Sequence, residues 1–113
     1  MGIIEIDKNL IPYTFDIELS GRLYTMEINY NYIFDFFTID LYLDNKPLVK
    51  SEKLVLNEIL FKDIYEDKEG NLNEKFPTEI LIPLGNNDVE RITYDNFGTE
   101  VQLYYAERSE LNE

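Results

Sequence analysis

The sequence predicts an all-β fold, a small antiparallel β-sandwich or barrel-like meander with at most one or two short helical turns. Three observations carry this: apolar residues recur at every second position, turn residues separate those stretches, and no helical period of useful length occurs. The clearest stretch is a hairpin from Tyr13 to Tyr30, reading YTFDIEL, then Ser20-Gly21, then RLYTMEINY. With Ser20 and Gly21 as the turn, Ile17 faces Tyr24, Phe15 faces Met26 and Tyr13 faces Ile28. The other face pairs Asp16 with Thr25 and Thr14 with Glu27. A one-residue slip would turn every apolar side chain to the wrong face, so the register is well specified.

The same argument extends to a third strand. Placing Phe37 opposite Tyr30 brings Ile39 to Ile28, Leu41 to Met26 and Leu43 to Tyr24, all on one apolar face. Asp44-Asn45-Lys46-Pro47 then has tight-turn chemistry. Leu48-Val49 and Leu54-Val55-Leu56 flank the polar Lys50-Ser51-Glu52-Lys53, as in a strand broken by a bulge or bend. Asn57 to Phe61 either closes this strand or makes a helical turn. Glu79-Ile80-Leu81-Ile82 reads as a buried strand stopped by Pro83 and the Gly85-Asn86-Asn87-Asp88 turn, and Val101, Leu103 and Tyr105 alternate in a last strand. One short helix near Asn57 or Asn96 fits the same class. At the start, Ile3, Ile4 and Ile6 form an edge strand or an arm within residues 1–10. Residues 62–76 read as an exposed acidic loop, and 107–113 as a frayed tail.

The 113 residues suit a single domain, 1–113, with roughly 65% of the unfolded surface buried on folding. There is no cysteine and no histidine. The chain therefore lacks disulfides, thiolate chemistry, the commonest metal ligand and the usual proton-transfer side chain near neutral pH. The net charge of −13 opposes direct nucleic-acid binding and favours a basic protein surface. The apolar runs are far shorter than the roughly 20 residues of a membrane span, and MGIIEIDKNL has acids where a signal peptide needs a basic start and an apolar run. The reading is a soluble intracellular protein with no membrane partner.

Candidate chemistry is sparse. Asp67, Glu69 and Asn71 alternate like the start of a calcium loop, but Leu72 replaces the turn glycine and Thr78 the bidentate glutamate. Asp16 with Glu18, or Asp35 with Asp40, supplies carboxylate pairs, and glycoside hydrolysis uses two carboxyls across a sugar cleft. Asp16 and Glu18 fall on the polar strand face, where acids need no special explanation. Ser20, Ser51 and Ser109 have no histidine partner. No catalytic residue, cofactor or metal site is predicted.

The aromatic content points elsewhere. Tyr30, Tyr32, Phe34, Phe36 and Phe37 crowd the second turn, and if Tyr30 and Phe37 point inward the turn must still place Tyr32, Ile33, Phe34 and Phe36. These four are either a second core layer or an anchor buried against a partner protein. They are the candidate protein interface.

Several segments, taken in order, resemble one family. They are Leu19-Ser20-Gly21-Arg22-Leu23-Tyr24-Thr25-Met26, Ile39-Asp40-Leu41-Tyr42, Pro47-Leu48-Val49 with Leu54-Val55, Thr93-Tyr94-Asp95-Asn96-Phe97-Gly98, and Val101-Gln102-Leu103-Tyr104-Tyr105. Together they are similar to the baseplate plug proteins of contractile-tailed phages, defined around a cyanophage baseplate and found also in prophages and tail-like bacteriocins. The resemblance spans most of residues 11–106. Ser20 departs from it, standing where Asp or Asn usually precedes the hairpin glycine, and the acidic 62–75 stretch is longer than the pattern.

What the resemblance implies is a non-catalytic structural protein bridging tail-tube and hub or spike proteins. It would be oligomeric in the virion or tail-like particle, assembled in the bacterial host cytoplasm, and could be monomeric when isolated. The alternative is a free acidic protein-binding module or inhibitor that mimics nucleic acid. Such a mimic needs charge at phosphate-like spacing on one face, whereas much of it here sits in 63–74 and the tail.

Overall fold

The computed structural model describes residues 1–62 and 73–107. The described strands are β1 (Gly2–Ile4), β2 (Tyr13–Leu19), β3 (Arg22–Asn31), β4 (Phe36–Leu43), β5 (Lys46–Lys53), β6 (Ile80–Gly85) and β7 (Val101–Ala106). They form two antiparallel sheets, one in the order β2-β3-β4-β5 and one in the order β1-β7-β6. The regular helical piece among the described residues is a 3-10 turn at Lys8–Leu10, capped by Asp7, whose carboxylate accepts the Asn9 N–H at 2.9 Å.

The meander has the register its alternation dictates. Ile17 pairs with Tyr24 and Tyr13 with Ile28, and on the next strand Tyr30 pairs with Phe37 and Tyr24 with Leu43. Ser20 and Gly21 both have positive φ, 56° and 74°, as do Asp44 and Asn45 at 52° and 64°. Two such residues in a row give turns whose twist matches that of the flanking strands. The Ser20 tip is also tied to the other sheet. Its N–H donates to Glu79 at 2.8 Å, its hydroxyl donates to the same carboxylate, and it accepts the Thr78 N–H at 2.8 Å.

β5 carries the expected interruption, but it ends at Lys53, so Leu54-Val55-Leu56 lie beyond the strand in irregular backbone and a turn. Its register against β4 shifts twice, and Ser51 sits at φ 58°. The bulge is held from inside the sheet: Asp40, only 6% exposed, accepts the Ser51 N–H at 2.6 Å. A buried carboxylate needs such a partner, and a bulge leaves a backbone N–H that needs an acceptor.

Between the sheets lies one apolar cluster. Tyr24, Met26, Ile28, Phe37, Ile39 and Leu41 from the larger sheet pack with Ile4, Leu81, Val101 and Leu103 from the smaller. At about 2 kcal/mol for each large side chain fully buried, this layer is the main stabilising contribution. Loop residues complete it: Leu54, Leu60, Phe61, Phe76, Ile92 and Phe97 are all buried.

Two further expectations change. Pro83 does not stop its strand, since β6 runs on to Gly85 with Pro83 opposite Leu103. The reason is position. β6 is an edge strand, and Pro83 turns its carbonyl outward to accept the Asn57 N–H at 2.9 Å, so the N–H that proline lacks would have pointed away from β7. Leu60 makes the equivalent bond to the Leu81 carbonyl at 2.9 Å, so Asn57–Phe61 forms turns that cover the β6 edge. The second change is at the end of the acidic stretch, where Phe76 is 4% exposed rather than in an exposed loop. Arg22 holds this segment by donating to the carbonyls of Glu74 and Phe76, and the Tyr24 hydroxyl donates to that of Lys75. The rest of the predicted loop, 63–72, and the tail from 108 lie outside the described residues.

Candidate protein interface

The turn between β3 and β4 is built by local polar contacts. The Asn31 side chain accepts the N–H groups of Ile33 at 3.0 Å and Phe34 at 3.1 Å, which closes the chain into a tight tip. Asp35, at φ 56°, returns it to β4. The left-handed region is one that a short polar side chain tolerates better than most.

Apolar side chains crown this tip. Tyr32 is 81% exposed, Ile33 70% and Phe34 72%, so the second-core-layer reading does not describe these three. Phe36 parts from them. It is half-buried at the start of β4, with the Lys53 ammonium 4.8 Å above its ring. A cleft of about 160 Å³ opens beside the tip, between Phe34 and Phe36 on one side and Val55 and Arg91 on the other.

The tip stands on a rigid base. The Asp35 carboxylate accepts the Tyr30 hydroxyl at 2.7 Å, the Tyr94 N–H at 2.9 Å and the Arg91 guanidinium at 2.9 Å, and Arg91 also donates to the Asp35 carbonyl at 3.1 Å. Those donors, the Tyr30 hydroxyl foremost, hold the Asp35 carboxyl below its ordinary value. The same bond, with burial and the Asp35 charge, pushes the Tyr30 phenol up. Below lies a ring cluster in which Tyr30 and Phe37 are 4.8 Å apart, Tyr30 and Tyr94 5.1 Å, and Phe37 and Phe97 4.7 Å.

Opposite, the Thr93–Gly98 stretch caps itself. Asn96 accepts the Thr93 N–H at 2.8 Å while the Thr93 hydroxyl accepts that of Asn96 at 3.2 Å. Gly98, at φ 90°, then turns the chain into β7, its N–H donating to the Val101 carbonyl at 2.7 Å. Lys8 donates to the Tyr94 carbonyl at 2.6 Å. Sequence reasoning did not find the Asp35, Arg91 and Tyr94 contacts, because they join residues nearly sixty positions apart. The polar residues of Thr93–Asn96 were the available signal.

Three of the four carboxylates weighed for catalysis are occupied structurally. Asp35 belongs to the base of the tip, Asp40 to the β5 bulge, and Asp16 accepts the Thr25 hydroxyl at 2.6 Å. Among the described residues no group of three or more His, Cys, Asp or Glu is placed to hold a metal ion. Asp67, Glu69 and Asn71 lie outside them. Among the described residues no helix is long and apolar enough to cross a membrane.

Over residues 1–108 the sequence matches the family described as cyanophage baseplate Pam3 plug gp18. The chain belongs to this baseplate plug family. Comparison with curated proteins returned no match. Membership in a plug family supports a component of the phage virion with a structural role, and implies interaction with other baseplate proteins.

Proposed function

We propose that the protein is a non-catalytic plug in the baseplate of a contractile phage tail or tail-like particle, bridging tail-tube and hub or spike proteins. In this reading Tyr32, Ile33 and Phe34 bury against a neighbouring subunit, with Phe36 at the margin. The family match across residues 1–108 is the observation that carries it. The braced tip adds a physical reason. A rigid apolar projection costs little ordering entropy on docking and offers the aromatic anchors that interface centres favour. The isolated chain is read as a monomer that becomes part of an oligomer on assembly.

The test is genetic and biochemical. In a lysogen or producer strain carrying the gene, the protein should copurify with tail-tube and hub proteins in intact particles. Deleting the gene should leave particles without a complete baseplate. Normal tails in the deletion strain would refute the proposal.

A further inference from the structure

We propose that the open edge of β2 is a docking site for an extended strand of a basic partner, one that alternates apolar residues with lysine or arginine. Of the four sheet edges, three are protected. β6 is covered by the Asn57 and Leu60 amides. β5 carries Pro47, which has no N–H to offer, and the Ser51 bulge. β1 is only three residues long. β2 differs: seven residues, regular register, no bulge and no proline. These protections are the usual ways in which sheet edges avoid stray pairing, and β2 lacks them.

The hairpin fixes which groups are free. A two-residue turn makes Leu19 and Arg22 the closing hydrogen-bonded pair, so Leu19, Ile17, Phe15 and Tyr13 bond to β3. Thr14, Asp16 and Glu18 therefore aim their N–H and C=O groups outward. Among the described residues none of these groups has a backbone partner beyond the sheet. All three residues are exposed, while Tyr13, Phe15 and Ile17 on the core face are only half-buried. An added strand would satisfy the first set and finish covering the second.

Charge selects the occupant. A second copy paired antiparallel about Asp16 would set Asp16 against Asp16 and Glu18 against Thr14 of its mate, placing four carboxylates along one seam. A strand with Lys or Arg at alternate positions would instead face Asp16 and Glu18 with opposite charge. Asp16 is already held upright by Thr25, and β2 has no cation of its own.

The probe is a capped seven-residue peptide alternating valine and lysine, with a valine–glutamate peptide as control, added to isotope-labelled full chain. The lysine peptide should slow amide exchange at Thr14, Asp16 and Glu18 and leave that at Phe15 and Ile17 as it was. Thr14→Pro removes one outward N–H, leaves Asp16, its Thr25 bond and Glu18 in place, does not touch the β3 ladder, and should weaken peptide binding about tenfold. The double variant Asp16→Lys with Glu18→Lys should reverse the preference toward the glutamate peptide. Protection at another edge, equal binding of both peptides, no binding, or protection that appears without peptide and vanishes on dilution would each overturn the proposal.

Discussion

Tyr30 and Asp35 face each other across the mouth of the aromatic turn, the phenol donating to the carboxylate at 2.7 Å. Because the same carboxylate takes the Tyr94 N–H, one side chain joins the turn to a segment 59 residues away. The bracing that fixes the fold at this point also pre-shapes the apolar tip above it.

Removing the brace should loosen the tip without unfolding the sheet. Asp35→Asn keeps a short polar side chain that tolerates positive φ, whereas Asp35→Ala loses the acceptor and that tolerance. Amide exchange at Tyr94 should quicken in both variants and more in the alanine one, with β3 amides little changed. Unaltered exchange at Tyr94 would contradict the assignment.

The pH dependence has a definite sign at each end. Asp35 is held below its ordinary 3.8 by the Tyr30 hydroxyl first, then by the Tyr94 N–H and Arg91. At Glu79 burial pushes the carboxyl up, but bonds from the Ser20 hydroxyl and N–H, with its own N–H and the Thr78 hydroxyl, outweigh it and hold the group below 4.5. Both contributions are full above those ordinary values and are lost as pH falls through the lower folded values. Tyr30 is raised above 10.0, so its contribution is full below that value and lost as pH rises through the higher one. Thermal midpoints should therefore fall at both extremes, and Asp35→Asn should flatten the acid limb in part. An acid limb identical in that variant would count against the Asp35 assignment.

Asp40 is a structural residue in this account. Asp40→Ala would leave the Ser51 N–H without its acceptor inside a bulge, at a cost of about 1–3 kcal/mol. Asp40→Asn keeps an acceptor oxygen and should cost less. Denaturant unfolding of the two variants gives the comparison, and equal stability of all three proteins would refute the role.

The core prediction is larger. Ile28 is fully buried between the sheets, and Ile28→Ala should cost about 2–5 kcal/mol by denaturant unfolding. A loss well under the lower bound would mean that the sheets do not pack as described.

What could be read from the sequence divides along contact range. Tyr13–Leu43 was legible because its alternation, its two-residue turn at Ser20-Gly21 and its short turn at Tyr32–Asp35 are local and admit one register. That Tyr32, Ile33, Phe34 and Phe36 needed placing could be counted from the sequence, but whether they formed a second core layer or projected outward was decided only by the fold, which exposes the first three. The pairing of β1 with β7 was not legible, because three residues at one end carry no mark of a partner a hundred positions on. Pro83 misled because proline stops a central strand but not an edge whose N–H points outward. Leu60, Phe61 and Phe76 sit in irregular backbone with no periodicity to announce their burial. Asp35 was weighed only with Asp40 as a carboxylate pair, and its bracing role depends on Arg91 and Tyr94 arriving from another part of the chain.

The central claim is that the exposed tip joins the protein to its baseplate neighbours. The most direct measurement is particle assembly with Tyr32→Ser and Phe34→Ser introduced together, scored by electron microscopy of tails alongside a thermal melt of the purified variant. The account predicts an unchanged melt, since both side chains project into solvent, together with particles lacking the protein. A variant that folds normally and is incorporated normally would contradict it.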